Sequence, residues 1–449
     1  MNKLFGNISV EEIGEGAVGP ITAEEVIAAE ENLQEIHEIE MEATAAVVAM
    51  EDGEKAIASL EEAAAKYDAI LAQPESISPA HVLVAQENLR MTAIGLGVEE
   101  AELQDIIGEE VSVEDATSNP VTGMELSRES VGGFIRKIFE QVKAFFKRIG
   151  VQVKKLYVKA VAFFNNTEKK AKKLLEEYKD RKDTAGAKLS DKQVDSIKNK
   201  LAVAGINSGK INQKSVLEYL AAITDTGTLK QINDAVATTD GLSADQIKDA
   251  AAVKKTFEGF SKAFEGAINK NSMFKQAGDK IKGWLGKEDT TNLVATYPVK
   301  VSGKGMTVIL MKEDSEKLNS DDALKRVSAI SYTKKSVSLE KTALYRMDVA
   351  TLGFGEINAI LGAVVKSNSV TFAKEAAAIM DTREKAIDKF EKEQKSAEPD
   401  QATKAWISKY VSVNQTTATS MSLDAILGAI SGCSNVVSAC TVYASAHNK

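Results

Sequence analysis

The chain has 449 residues, 44% hydrophobic and 27% charged, with a net charge of −9; this composition is ordinary for a globular protein and excludes low-complexity and collagen-like chains. Two cysteines, Cys433 and Cys440, rule out a disulfide-stapled scaffold and a four-cysteine zinc site, and the three histidines, His37, His81 and His447, argue against a multi-histidine metal centre. The net charge conceals a step: residues 1–129 hold 29 acids and 5 bases, a net of −24, whereas residues 130–449 hold 36 acids and 51 bases, a net of +15.

Such a step is the pattern of an acidic masking segment attached to a basic, polyanion-seeking body. The first residues lack the apolar core of a secretory signal. Residues 1–20 are an extended acidic lead-in ending at Pro20. Thr22 to Glu25 then matches a capping box and opens a helical run. Its apolar positions Val26, Ile27, Leu33, Ile36, Ile39 and Met41 recur near helical spacing. Gly53 interrupts the run, and Pro74 and Pro79 bracket a turn. A third helix is expected from about Ala80 to Leu96 and a fourth from about Glu99 to Gly108. Asn119, Pro120 and Gly123 then break the chain into a linker.

At Ser130 the character changes. Phe134, Ile138, Val142, Phe145 and Ile149 fall on one helical face, flanked by Ile135, Phe139, Phe146 and Val153. Arg136, Lys137, Lys143, Lys147, Arg148, Lys154, Lys155 and Lys159 fill the rest, which makes a basic amphipathic helix, broken or bent near Gly150. A more polar helix continues it. Residues 130–182 carry 15 bases and 5 acids. A face of this kind packs on the rest of the chain, lies at a membrane interface, or places lysines against phosphates. No base-reading module accompanies it, so any DNA contact is sequence-independent and weakens with salt.

From about residue 186 the pattern is that of a compact domain. Ser190 caps a helix that ends near Gly205. Short helices punctuated by Gly209, Gly227 and Gly241 follow, and Ser243 opens another that runs to about Ala267. Around residue 293 the period switches to two, giving a hairpin over 293–312 with its turn at Gly303 to Gly305. One or two more strands are expected over 323–339. Helices return at about Ile357–Val365, Ala373–Gln394, Gln401–Val411 and Leu423–Tyr443. The stretch Ala425–Ala446 is uncharged and long enough to span a membrane. Asn435 and interspersed serines favour a packed small-residue helix instead.

No motif specifies an enzyme. Gly14 to Gly19 matches G-x-G-x-x-G in letters, but Glu11, Glu12 and Glu15 would repel a pyrophosphate and Pro20 follows. His37 lacks a second histidine four residues on. Cys433 and Cys440 share a helical face and read as buried thiols; the nearest histidine, His447, falls at a fraying chain end. Nothing calls for a cofactor or metal.

The junction Met124-Glu-Leu-Ser127-Arg-Glu129-Ser130 joins an acidic helical leader to an amphipathic Phe/Lys helix through a small-x-Glu tripeptide. This arrangement, with the later text Leu201 to Asn212, resembles the internal head proteins of jumbo bacteriophages of the phiKZ-like kind. The resemblance implies an acidic propeptide that directs the protein into the assembling prohead. It also implies a prohead protease that cuts after Glu in Ala/Ser-x-Glu, here at Ser127, Glu129 and Ser130. The mature protein would stay in the capsid interior near packaged DNA and other head or core proteins. Ejection into the host, with membrane contact on the way, is a further implication, and the host cytoplasm is its place before assembly and after ejection. Nine glutamates up to residue 129 satisfy the tripeptide; Glu129 stands out because it follows the linker and sits on the charge step. The contact residues expected for DNA or membrane are Arg136, Lys137, Lys143, Lys147, Arg148, Lys154 and Lys155.

The expected architecture is mainly α with a small antiparallel β-sheet in the C-terminal domain. Residues 1–129 form the helical propeptide, 130–185 the basic segment, and 186–449 an α+β domain. The rival readings are a membrane-active or pore-associated effector and an ejected enzyme acting on host proteins.

Overall fold

A computed structural model describes residues 163–227, 270–302, 305–321, 329–339, 346–367 and 401–447, with isolated positions elsewhere. The first 162 residues are described only at single positions. Among these, 80, 84, 87 and 91 are helical, in line with the third expected helix, while Met41, Val84 and Met91 are exposed. The continuous segments all fall in one compact unit, which includes Val153–Lys449.

The first described helix, α1, covers 163–178. It buries Phe163 and then Phe164, Thr167, Ala171, Leu174 and Tyr178, the last five spaced three and four apart, and exposes Lys169 and Lys172. An exposed strap, 179–190, leads to α2 (Asp191–Leu201). As expected, Ser190 caps α2: its Oγ accepts from Gln193 N–H at 3.4 Å, and Gln193 Oε1 accepts from Ser190 N–H at 2.8 Å. A 3-10 turn, Ala202–Gly205, and the two-residue strand β1 (Lys210–Ile211) precede α3 (Gln213–Ile223), which Asn212 caps.

The helix α4 (Ser272–Lys282) was not expected from the periodicity. Gly278 in its middle weakens the helical signal, and the fold explains the glycine. A Cβ there would lie 3.1 Å from the carbonyl oxygen of Thr296 and 3.7 Å from the Pro298 ring, so only glycine lets α4 lie on the next strand. After a single turn, α5 (Lys287–Thr290), come β2 (Leu293–Ser302) and β3 (Gly305–Glu313). They pair antiparallel with Ser302 opposite Gly305, which is the expected hairpin. Pro298 sits in β2, an edge strand, beside a register irregularity, the kind of sheet position where proline is tolerated. A turn, α6 (Ser315–Leu318), leads to β4 (Ile330–Ser338), antiparallel to β3. The sheet order is β2-β3-β4. A short β5 (Asp348–Val349) runs parallel to β1.

Two further helices follow among the described residues: α7 (Phe354–Lys366) and α8 (Gln401–Ser445). The helices expected over Gln401–Val411 and Leu423–Tyr443 are one. The residues between them are poor helix formers but include neither Gly nor Pro, so nothing breaks the hydrogen-bond ladder. The last 23 residues of α8 are central to the core, and α8 packs on α2, α3, α7 and β2. Burying Leu423, Ile426, Leu427, Ile430, Val436 and Val437 contributes on the order of 10 kcal/mol. This stretch is apolar and long enough to cross a membrane by length and composition, yet most of it is buried in the unit. The packed-helix reading of 425–446 therefore holds. The architecture is mainly α with one small antiparallel sheet, as expected.

Candidate functional site

The expected cleavage residues Ser127, Glu129 and Ser130 lie outside the described residues, as do Arg136, Lys137, Lys143, Lys147, Arg148, Lys154 and Lys155. The described part resumes after them, at Phe163, and the contacts nearest to it in sequence are those of one junction. That junction consists of α1, the strap after it, and the C-terminal end of α8.

Three distant parts of the chain meet there. The Tyr178 ring lies 5.5 Å from Phe354 at the start of α7, and Asn358 of α7 donates to the Tyr178 carbonyl at 3.3 Å. Burial raises the Tyr178 phenol to about 12, with Glu177 adding to the effect. The Asp183 carboxylate accepts from the Phe354 N–H at 2.6 Å, which satisfies a donor that the first turn of α7 leaves open. A Cβ at Gly353 would lie 2.5 Å from that carboxylate, so the glycine makes room for the cap. Thr184 N–H donates to His447 Nδ1 at 3.1 Å, and the Thr184 hydroxyl donates to the His447 carbonyl at 2.7 Å. The other ring nitrogen, Nε2, is 2.9 Å from the Leu352 carbonyl, and the ring lies 4.9 Å from Phe354. His447 is thus fastened on three sides, which corrects the expectation of a fraying end. The partners of its ring, at Thr184, Leu352 and Phe354, are far away in sequence, so no local pattern announces them.

Farther along α8, two glycines one turn apart admit two neighbours. At Gly428 a Cβ would come within 3.3 Å of the β2 backbone at Lys300 and Val301. At Gly432 it would meet Ile223 and, at 2.5 Å, the Tyr219 hydroxyl. Tyr219 is fully buried and donates to the Val301 carbonyl at 2.9 Å, which ties α3 to β2 across α8. Asp424, nearly buried, pairs with Lys334 of β4; the next residue, Lys335, pairs with Asp289 at 2.9 Å. Adjacent strand residues point to opposite faces, so β4 sends one lysine to each side of the sheet.

These groups build a core rather than a reaction centre. Cys433 and Cys440 are free and buried, and burial pushes both thiols up to about 12. That leaves them almost wholly protonated at neutral pH, the opposite of an activated nucleophile. Burial likewise raises Tyr219 and Tyr443. Among the described residues no group of three or more His, Cys, Asp or Glu side chains is placed to hold a metal ion.

A family model, that of the phiKZ-like phage internal head proteins, matches residues 31–446. The chain belongs to that family. No curated protein and no solved structure matches it. The match starts inside the acidic segment and ends at the last turn of α8, so the internal head protein family spans both sides of the charge step. As an internal head protein it resides in the interior of the virion capsid, in the company of other head components.

Proposed function

We propose that this internal head protein is made with a disposable acidic leader and packaged as a cationic body. Residues 1–129 direct the protein into the prohead and neutralise the basic part during assembly. A prohead protease cuts after Glu129 in Ser127-Arg-Glu129, and Ser130 becomes the new N-terminus. The mature chain presents Arg136, Lys137, Lys143, Lys147, Arg148, Lys154 and Lys155 to packaged DNA or neighbouring head proteins. Ejection with the genome would bring the same helix to the host cytoplasm and, on the way, to a membrane.

The observation that carries this reading is the charge step at one junction: −24 before it and +15 after it. A leader of that charge keeps a basic body off nucleic acid, and its removal leaves the body to bind phosphates by releasing counterions. In the described part, α1 continues the basic run and turns its apolar face inward, which leaves lysines such as Lys169 and Lys172 on the solvent side.

The test compares the full chain with the chain that starts at Ser130, on duplex DNA of several sequences. The shorter chain should bind all of them alike, and log affinity should fall linearly with log salt, by ~0.9 per phosphate neutralised. The full chain should bind at least tenfold more weakly. Equal binding by both chains refutes the masking role. Binding to anionic vesicles and never to DNA favours the membrane-active reading instead.

A further inference from the structure

The strap 179–190 differs from everything it connects. None of its residues is fully buried, whereas α1 before it and α2 after it each bury apolar side chains. Polar bonds hold it: Asp183 to the Phe354 N–H, and Thr184 to His447 by backbone and hydroxyl. Just past its end, Gln193 donates to Ser445 at 2.8 Å, again at the last turn of α8. A segment held in this way opens at a small fraction of the free energy that unfolds a core.

We propose that this strap opens and closes while the core stays folded, and that His447 is its latch. The ring is fitted for one arrangement. The Thr184 N–H can only donate, so Nδ1 must be the bare nitrogen; the Leu352 carbonyl can only accept, so the proton sits on Nε2. One tautomer of one side chain therefore joins the strap to the segment that leads into α7. The main-chain carbonyl of the same residue holds the Thr184 hydroxyl. When the latch releases, the strap loses the contacts that keep Asp183 over the first turn of α7. Tyr178, Leu174 and Ala171 remain buried and keep α1 in place. The strap is thus the joint between the end of the basic run and the rest of the unit, and the inference stands whether or not that run binds DNA.

Hydrogen exchange on the full chain, read by mass spectrometry, tests this. In His447→Ala the amides of Thr184 and Phe354 should exchange at least tenfold faster, while Val308–Met311 of β3 and Ile357–Leu361 of α7 keep their rates. His447→Asn retains an acceptor for the Thr184 N–H and should recover part of the protection. Unchanged exchange at Thr184, or an equal rise in β3, overturns the proposal. Should His447→Ala fail to fold, Thr184→Val deletes only the hydroxyl donor. It should show the same local pattern at about threefold amplitude, and its absence is equally fatal.

Discussion

The two ends of the buried part of α8 are secured by different physics. At its start a carboxylate, Asp424, is taken out of water and matched by Lys334. At its end a neutral ring, His447, is matched to backbone groups at Thr184 and Leu352. Between them run neutral side chains, two thiols and a tyrosine among them, packed against α2, α3, α7 and β2. A charge end is costly to leave half-made, because a buried ion without its partner carries its full desolvation penalty. A hydrogen-bonded end is cheap to undo, because water replaces most of what is lost. One end is therefore a fixed point of the fold and the other a place where it can open.

Raising the pH attacks the neutral middle and should have the largest effect. Cys433 and Cys440 are raised from 9 to about 12 and Tyr178 from 10 to about 12, with Tyr219 and Tyr443 also raised. Each group ionises more readily in the unfolded chain. Its contribution is complete below the unfolded value and is lost as pH climbs through the folded one. Circular dichroism should show a flat signal to pH 9 and cooperative loss of the unit before pH 12. A fold unchanged at pH 12 would contradict the stabilising weight given to these neutral groups. At neutral pH, both thiols should resist a maleimide until the chain is denatured.

The next largest effect falls on the charged end. Lys334→Met removes the ammonium that buried Asp424 faces and should cost ~2–4 kcal/mol in urea unfolding, whereas adding Asp424→Leu should recover most of it. In the middle, Gly432→Val drives a side chain into Ile223 and Tyr219 and should cost ~2–3 kcal/mol. The smallest effects separate two buried tyrosines. Tyr219→Phe removes the bond to Val301 and should cost ~1 kcal/mol. Tyr443, whose hydroxyl meets no partner among the described residues, should tolerate phenylalanine within ~0.5 kcal/mol. Equal losses for the two tyrosines would contradict the assignment of the α3–β2 tie.

What was legible in the sequence follows from where each signal is local. Ser190 and Gln193 announce a cap because both partners lie within one turn, and the alternation of 293–312 announces a hairpin because a strand has period two. The unbroken α8 and the glycine-bearing α4 were hidden. Gly278 is a mark against a helix until the carbonyl of Thr296 is seen beside it. Asp424 is the sole carboxylate in 401–446, a hint of a buried pair, but its partner is some 90 residues away on β4. The junction of the strap with His447 joins residues 263 apart and had no local trace. The charge step, by contrast, needs no coordinates, and together with Ser127-Arg-Glu129 it pointed to the family that the chain belongs to.

That step also carries the central claim, that the anionic front is removed in the virion. The direct measurement is the N-terminal sequence and intact mass of the protein taken from purified particles. The account predicts a chain of 320 residues, 130–449, beginning at Ser130, with peptides from residues 1–129 absent or trace. Recovery of the 449-residue chain with its Met1 peptides at full abundance would contradict it.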